Sequence, residues 1–413
     1  SYLNKEVFTK KRSYIELLSI QLFFFLIVDS TLIYQQAFYL GFLISFVLIY
    51  IRTYSKKVNN KIKPLIIVLA ITFLMLPISL GNTNELHLFT PIFQLLLMPI
   101  HIGYVVLSLI SFYIYPFKYI LNGITKGILI FYKDLSYIDL SVPIGKISTV
   151  FIVIYYISLA LSLFYFESKR WKHMYITLGV LATVIVGSVI PVKTILTNGV
   201  YFINVGQGDS ILIRNRTHAV MIDTGGNKTF DMAVKTLIPF LKKNHVYKLD
   251  ALITSHDDFD HSGAKESLMK NYKVGEYINS QNKFPYTVGD ITLTNINTYQ
   301  TMDDNDSSLV LTLNFMNRKW LFTGDASTTV EKFLIDKNID IDCDVLKVGH
   351  HGSKTSTCDE FLKATTPDIA IISVGANNYY GHPNDEVINR LRRRNIEIRR
   401  TDLEGTISFV EFA

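Results

Sequence analysis

The chain has 413 residues, 49% of them hydrophobic and 18% charged, with a formal net charge of +6. That apolar content excludes a disordered chain, and its concentration in long runs in one half excludes a single soluble domain. The mild positive charge permits an anionic substrate without requiring one.

From Tyr14 to Val192 one long apolar stretch follows another, and a bilayer core needs about 20 such residues per helix. Spans are predicted near residues 14–30, 32–51, 64–80, 89–115, 143–166 and 174–192. A soluble helical core fails as an alternative because several runs reach bilayer length with hardly a charge, and a signal peptide would not repeat. Residues 119–132, where Asn122, Thr125 and Lys126 interrupt the apolar pattern, predict an interfacial or re-entrant helix. Asp29, Gln94 and His101 are polar groups in or beside these spans. Each alone is read as a helix-end or helix-contact residue, with the lining of a path as the functional alternative. Pro91, Pro99 and Gly103 are expected to break the fourth span. Three basic clusters mark the cytoplasmic side: Lys10, Lys11 and Arg12; Arg52, Lys56, Lys57, Lys61 and Lys63; and Lys169, Arg170 and Lys172. The last span then leads outward, which requires an extra crossing between 118 and 143. The chain starts at Ser1 and is read as a fragment or a shortened member of its kind. Thr194 to Gly199 is the junction, so residues 1–195 form a polytopic membrane domain and residues 196–413 a soluble one.

In the second half, the apolar run Leu249-Asp250-Ala251-Leu252-Ile253-Thr254 ends in His256-Asp257-Asp258-Phe259-Asp260-His261. His256, Asp258, Asp260 and His261 can converge only if the chain turns sharply after a strand, where chemistry is usually placed. Two imidazoles with two carboxylates suit a pair of divalent ions. A solvated acidic turn is the plain alternative. Two later strand ends weigh against it: Trp320 to Asp325 delivers a carboxylate, with Asp325-Ala326-Ser327 also placed to cap a helix, and Asp344 to Ser353 delivers His350 and His351. Arg390, Arg392, Arg393, Arg394, Arg399 and Arg400 crowd the C-terminal region, a possible phosphate footprint. Asp385, Glu386, Glu397 and Asp402 interleave them, so a solvated mixed-charge surface is an equal reading. Cys343 and Cys358 are too few for a disulfide scaffold.

These motifs, with Ile222-Asp223-Thr224-Gly225-Gly226, resemble a metallo-β-lactamase-type hydrolase domain. Val205-Gly206-Gln207-Gly208-Asp209-Ser210, the stretch Asp304 to Leu311 and Tyr380-Gly381-His382-Pro383 resemble the C-terminal domain of ComEC-type DNA-uptake proteins. The resemblance covers roughly residues 198–413 and extends weakly into the helices at Leu95 to Ile100. It implies an α/β fold, a four-layer αββα sandwich, behind a polytopic α-helical membrane domain. By matching motifs it implies that His256 and Asp258 hold one metal, Asp260 and His261 the other, that Asp325 bridges, and that His351 completes the second. Two departures stand out. Asp258 occupies a position that is often His, and the segment that commonly supplies a further His reads Asp304-Asn305-Asp306-Ser307-Ser308. The first favours Mn or Mg over Zn, with Zn still allowed. The second leaves one ion under-ligated, so one or two ions are expected.

Metal ions imply hydrolysis by an activated water, whose pKa falls from about 15.7 in bulk towards about 7 on Zn. Against a phosphodiester, His350 and His382 are candidates to steady a phosphate oxygen or protonate the leaving group, with a packing role before Pro383 an even alternative for His382. The resemblance implies a multi-pass membrane protein of DNA uptake, its extracytoplasmic nuclease degrading the strand that is not imported while the helices pass the other inward. The alternatives are a membrane-anchored hydrolase of another phosphodiester and a non-catalytic module that guides DNA. Single-stranded DNA, the lipid bilayer and other uptake proteins are the expected partners. A separate ATPase is among these, since the chain carries no Walker-type loop.

Overall fold

The structure, a computed structural model, describes residues 13–54, 62–114, 116–136, 141–190, 192–279 and 281–413. It divides into two compact units, Ser1–Val142 and Pro143–Ala413.

The first unit contains helices α1 (Tyr14–Val28), α2 (Gln36–Tyr54), α3 (Lys63–Thr83), α4 (Thr90–Tyr113) and α5 (Phe117–Ser136). Ser13 and Glu16 open α1 with a reciprocal capping box. Asp29 closes it by turning its carboxylate to the Thr31 N–H at 2.9 Å, which holds α1 to 15 residues. At about 1.5 Å per residue that falls short of an apolar core of about 30 Å. Among the described residues, three helices are long and apolar enough to cross a membrane: α3, α4 and, in the second unit, Thr149–Glu167. The break expected in the fourth span is not found, for α4 runs on through Pro99. Pro91 lies in the first turn, where a missing N–H costs nothing, and a proline inside an apolar helix is tolerated where freed backbone groups are satisfied again. The amphipathic stretch 119–132 is part of the longer helix α5. Its polar side meets α4, where Thr125 lies 3.0 Å from the Tyr104 hydroxyl and Tyr132 hydrogen-bonds His101. Gln94 accepts from Thr72 at 3.1 Å, so Gln94 and His101 are helix-contact residues. Of the basic clusters, Lys10, Lys11, Arg12, Lys56, Lys57 and Lys61 lie outside the described residues.

The second unit opens with a hairpin of α6 (Thr149–Glu167) and α7 (Trp171–Val189), joined at Ser162 and Thr177 by a 2.7 Å hydrogen bond. Both ends of the hairpin are tied to the α/β part of the chain. Lys146 N–H donates to the Lys243 carbonyl at 3.2 Å, and Arg214 donates to the Thr194 carbonyl at 2.7 Å.

Two sheets come next. Strands β1 (Thr197–Phe202), β2 (Ile211–Asn215), β3 (His218–Ile222), β4 (Leu249–Ile253) and β5 (Val274–Ile278) form the first, with β13 (Ile407–Phe412) outside β1. Strands β6 (Tyr286–Val288), β7 (Ile291–Asn295), β8 (Leu311–Phe315), β9 (Arg318–Phe322), β10 (Val345–Lys347), β11 (Ile369–Ile372) and β12 (Glu397–Arg400) form the second in sequence order. Pairing is parallel from β3 to β5 and from β9 to β12. Alternation decides the layers. Ile211, Ile213, Val220, Ile222, Trp320 and Phe322 face inward between the sheets. On the outer face, Leu212 and Met221 pack beneath Leu237, Leu241 and Leu268. Leu321 and Leu346 pack beneath Val330, Leu334 and Val387 on the other side. The result is the expected αββα sandwich, a metallo-β-lactamase fold behind a helical region.

Candidate metal centre

The C-terminal ends of β4, β9 and β10 lie side by side at one edge of the sandwich. Past β4, Thr254 and Ser255 lead to His256, and the short turn Phe259–Ser262 carries Asp260 and His261. Past β9, Gly324, with φ +54° and no room for a Cβ against Ser308, swings Asp325 inward. Past β10, His350 and His351 both take positive φ, 48° and 53°, a strain of the kind found where function demands a geometry.

His261 and Asp325 are the hub. His261 Nε2 is 3.1 Å from Asp325 Oδ1, and His351 Nε2 is 3.2 Å from Asp260 Oδ2 and 3.7 Å from Asp325 Oδ2. The ligand atoms of His256, His261 and Asp325 lie within 4.8 Å of one another, as do those of Asp260, His261 and His351, and those of Asp209, Asp325 and His351. Three of the imidazoles are held from behind. His261 Nδ1 meets Asp223 at 2.9 Å, His351 Nδ1 donates to the Ser373 carbonyl at 2.9 Å, and His256 Nδ1 meets the Ser255 and Ser308 hydroxyls at 3.0 and 3.3 Å. That leaves the Nε2 atoms of His256, His261 and His351, with Oδ1 of Asp209 and Asp325, buried and facing one another or a carboxylate without a well-aligned hydrogen bond. Orphaned buried donors and acceptors are costly. Converging as they do, with every imidazole oriented by its second nitrogen, they fit one or two divalent cations.

The electrostatics agree. Burial opposes charge on His261, yet Asp325 and Asp223 outweigh it and hold the imidazole well above its usual pKa. Burial likewise works against the Asp260 carboxylate, but His351 and His261 bring it down to about 2. His256 goes the other way, lowered by burial and by His261. The site is an anionic nest that draws in positive charge.

Asp258 stands apart from the sequence expectation. Its carboxylate is 3.6 Å from His256 Nε2 and 48% exposed, and it joins none of these three-ligand clusters. Its backbone carbonyl starts the turn, accepting from His261 and Ser262, and this points the side chain towards the rim. Ser308, at the end of the His-free segment Asp304 to Ser308, lies buried between His256 and the Asp325 N–H. His350 Nε2 is 3.7 Å from Asp325 Oδ2. The rings of His350 and His382 are 5.8 Å apart, and burial and the neighbouring histidines lower the His382 pKa. The helix after β9 is capped by Ser327, leaving Asp325 free for the centre.

Sequence reasoning left three partners unassigned. Asp209 and Lys347 form an ion pair, each 1% exposed, and Lys347 also donates to the Gly324 carbonyl at 3.2 Å. Asp223 binds both the Ser255 N–H and hydroxyl, at 2.7 and 2.8 Å, besides His261. A signal for Lys347 was available: a charge inside the apolar run Val345-Leu346-Lys347-Val348 must find a buried partner. Four of the six arginines of the cluster are engaged within the fold, while Arg392 and Arg393 are exposed on their helix. Arg390 donates to the Ser356 and Thr357 carbonyls, while Arg394, Arg399 and Arg400 pair with Asp359, Glu404 and Asp402. Cys343 and Cys358 are free thiols.

Two sheets with a His and Asp cluster at their shared edge define a metallo-β-lactamase-type hydrolase domain, and residues 203–291 and 287–376 match the family described as the metallo-beta-lactamase superfamily. Residues 2–169 match the family described as competence protein. The chain belongs to the ComEC-type competence proteins, which are membrane proteins. It is 28% identical to ComE operon protein 3 of Bacillus subtilis over 91% of this chain and 55% of that protein. It is 33% identical to competence protein ComA of Neisseria gonorrhoeae over 49% of this chain and 31% of that one. The chain thus spans about half or less of the length of these relatives. Among solved structures, the metallo-beta-lactamase fold protein YhfI from Bacillus subtilis aligns with 52% of this chain and 100% of its own, at 11% identity and a TM-score of 0.36.

Proposed function

We propose that residues 196–413 form a metal-dependent phosphodiesterase that cuts single-stranded DNA, degrading the strand that is not imported, while residues 1–195 contribute to a membrane channel for the other. The convergence of orphaned buried imidazole and carboxylate atoms, in a chain of the competence family, carries this reading. His256, His261, Asp325, Asp260, His351 and Asp209 would hold the ion or ions. Asp258 would add a weak outer contact. A bound divalent ion supplies Lewis acidity towards phosphorus and an acidified water. Three imidazoles suit Mn better than Mg, with Zn allowed. His350 and His382, whose rings lie 5.8 Å apart, would steady a phosphate oxygen or protonate the leaving group.

The hairpin supports an extracytoplasmic hydrolase. Lys169, Arg170 and Lys172 sit at its tip, one 19-residue helix away from the end that carries the sheets, and the positive-inside rule assigns that tip to the cytoplasm. The crossing this orientation requires between 118 and 143 would fall on α5, whose 20 residues have the length but carry Lys118, Lys126, Lys133 and Asp134 and are not among the three apolar spans. Single-stranded DNA, a separate ATPase and other uptake proteins are the proposed partners.

The test is cleavage of labelled single-stranded DNA by the full chain in detergent with Mn, Mg or Zn, beside an Asp260→Ala, His261→Ala variant. Metal-dependent cutting lost in the variant is expected. No cutting by protein that demonstrably binds the ion would refute the nuclease reading and favour another phosphodiester or a guiding role.

A further inference from the structure

A run of aromatic rings leads outward from the centre. His382, beside His350, is stacked on Tyr380 at 5.9 Å with planes 16° apart, and Tyr380 meets Tyr379 edge-on at 6.2 Å. These tyrosines are 67% and 99% exposed, so folding gains little from them. Their loop is nonetheless held in place. Asn378 donates to the Gly375 and His382 carbonyls at 2.9 and 2.6 Å and accepts from His382 N–H at 3.0 Å. Gly375 N–H donates to the Gln207 side chain at 3.3 Å, two residues from Asp209. Exposed aromatic rings on a braced loop beside a hydrolytic centre present flat, preorganised surfaces to a planar ligand.

A lipid-facing role fits less well. The hairpin joins the sandwich at the start of β1, whereas Gln207 lies beyond the end of that six-residue strand, about 20 Å away. The rings therefore sit at the end of the sandwich opposite the membrane hairpin. Stacking on aromatic rings tolerates any base sequence, as a degradative nuclease requires.

We infer that Tyr379 and Tyr380 form a nucleobase-stacking subsite that holds single-stranded nucleic acid with its backbone leading to His350 and Asp325. This rests on the proposed function. The test measures binding of a phosphorothioate oligothymidylate, and of an abasic oligomer with the same linkages, to the full chain in detergent by fluorescence anisotropy. The Tyr379→Ala, Tyr380→Ala variant should bind oligothymidylate roughly tenfold to a hundredfold more weakly. Binding of the abasic oligomer should be unchanged, and the Tyr379→Phe, Tyr380→Phe variant should bind as wild type. Unchanged oligothymidylate binding by the alanine variant, or equal loss of both oligomers, overturns the subsite. If the wild type still cuts DNA in either case, the proposed function survives. Wild-type protein that neither binds the oligothymidylate nor cuts unmodified single-stranded DNA overturns both.

Discussion

Lys347→Met probes the buried ion pair directly. The substitution keeps the length and most of the volume of the side chain but removes an ammonium that neutralises Asp209, hydrogen-bonds the Gly324 carbonyl at 3.2 Å and lies 4.0 Å from Asp325. Asp209 would then be left at 1% exposure with His351 Nδ1 at 3.6 Å and His261 Nδ1 at 3.8 Å as its remaining cationic neighbours. Breaking a buried pair from one side costs about 3–5 kcal/mol. At roughly 2–4 °C per kcal/mol for a domain of this size, thermal unfolding followed by tryptophan fluorescence should move down by about 6–20 °C. Trp320, in the core between the sheets, is the reporter. A chelator keeps any ion from standing in for the ammonium. Burial works against the lysine charge but Asp209 and Asp325 outweigh it, so its pKa is raised. A raised lysine stabilises fully below its unfolded value, about 10.4, so the lysine itself adds no slope from pH 6 to 9, and the deficit should change there only as His261 and His351, both with raised pKa, lose their protons. Adding Asp209→Asn to Lys347→Met should recover most of the loss. A shift under about 2 °C, or a double variant no better than the single one, would refute the reasoning.

Two further outcomes are expected of the same structure. Mn held at a thousand times its Kd adds about 4 kcal/mol of stability, so it should raise the melting temperature of the wild type and not of the Asp260→Ala, His261→Ala variant. An equal rise in both would place the ion elsewhere. Asp250 is pushed up by burial and pulled further down by Lys248, the Ala219 N–H and His218, leaving its pKa low. A lowered carboxyl contributes above its unfolded value, about 3.9, and loses that contribution as the pH falls. Asp250→Asn should thus cost about 1–2 kcal/mol in urea unfolding at pH 7, with the gap closing below about pH 4. A gap that persists in acid would reject the charge as its origin.

The fold was legible wherever the chain alternates or ends a strand abruptly. Ile211, Leu212 and Ile213 divide between two layers by period alone, and Trp320 to Asp325 announces a buried strand ending in chemistry. Helix lengths in the first unit were less legible. Hydropathy sees Tyr14 to Ser30 as one stretch, whereas the Asp29 carboxylate competes locally for backbone N–H groups and ends the helix. Residues 119–132, read as an interfacial or re-entrant helix, do lie in a helix of amphipathic pattern, but its contact with α4, where Thr125 and Tyr132 meet Tyr104 and His101, is one no local pattern reports.

At the centre, residue type and spacing found the atoms that point inward but not the charges behind them. Asp258 and Asp260 are equivalent in the sequence, two carboxylates on either side of Phe259. What separates them is that Asp258 contributes its carbonyl to the turn while Asp260 lies inside it, and Asp260 alone meets His351. Asp209 arrives from the loop after β1, and Lys347 ends β10 in the other sheet, so their pairing exists only once the two sheets have packed. Candidate ligands likewise come from both sheets, His256, Asp260 and His261 from one and Asp325 and His351 from the other. An ion there would bridge the sheets at the edge where the sandwich core ends. Affinity for the ion and docking of the sheets are therefore two readings of one coupling, and substitutions that loosen the docking should weaken the ion without touching a ligand.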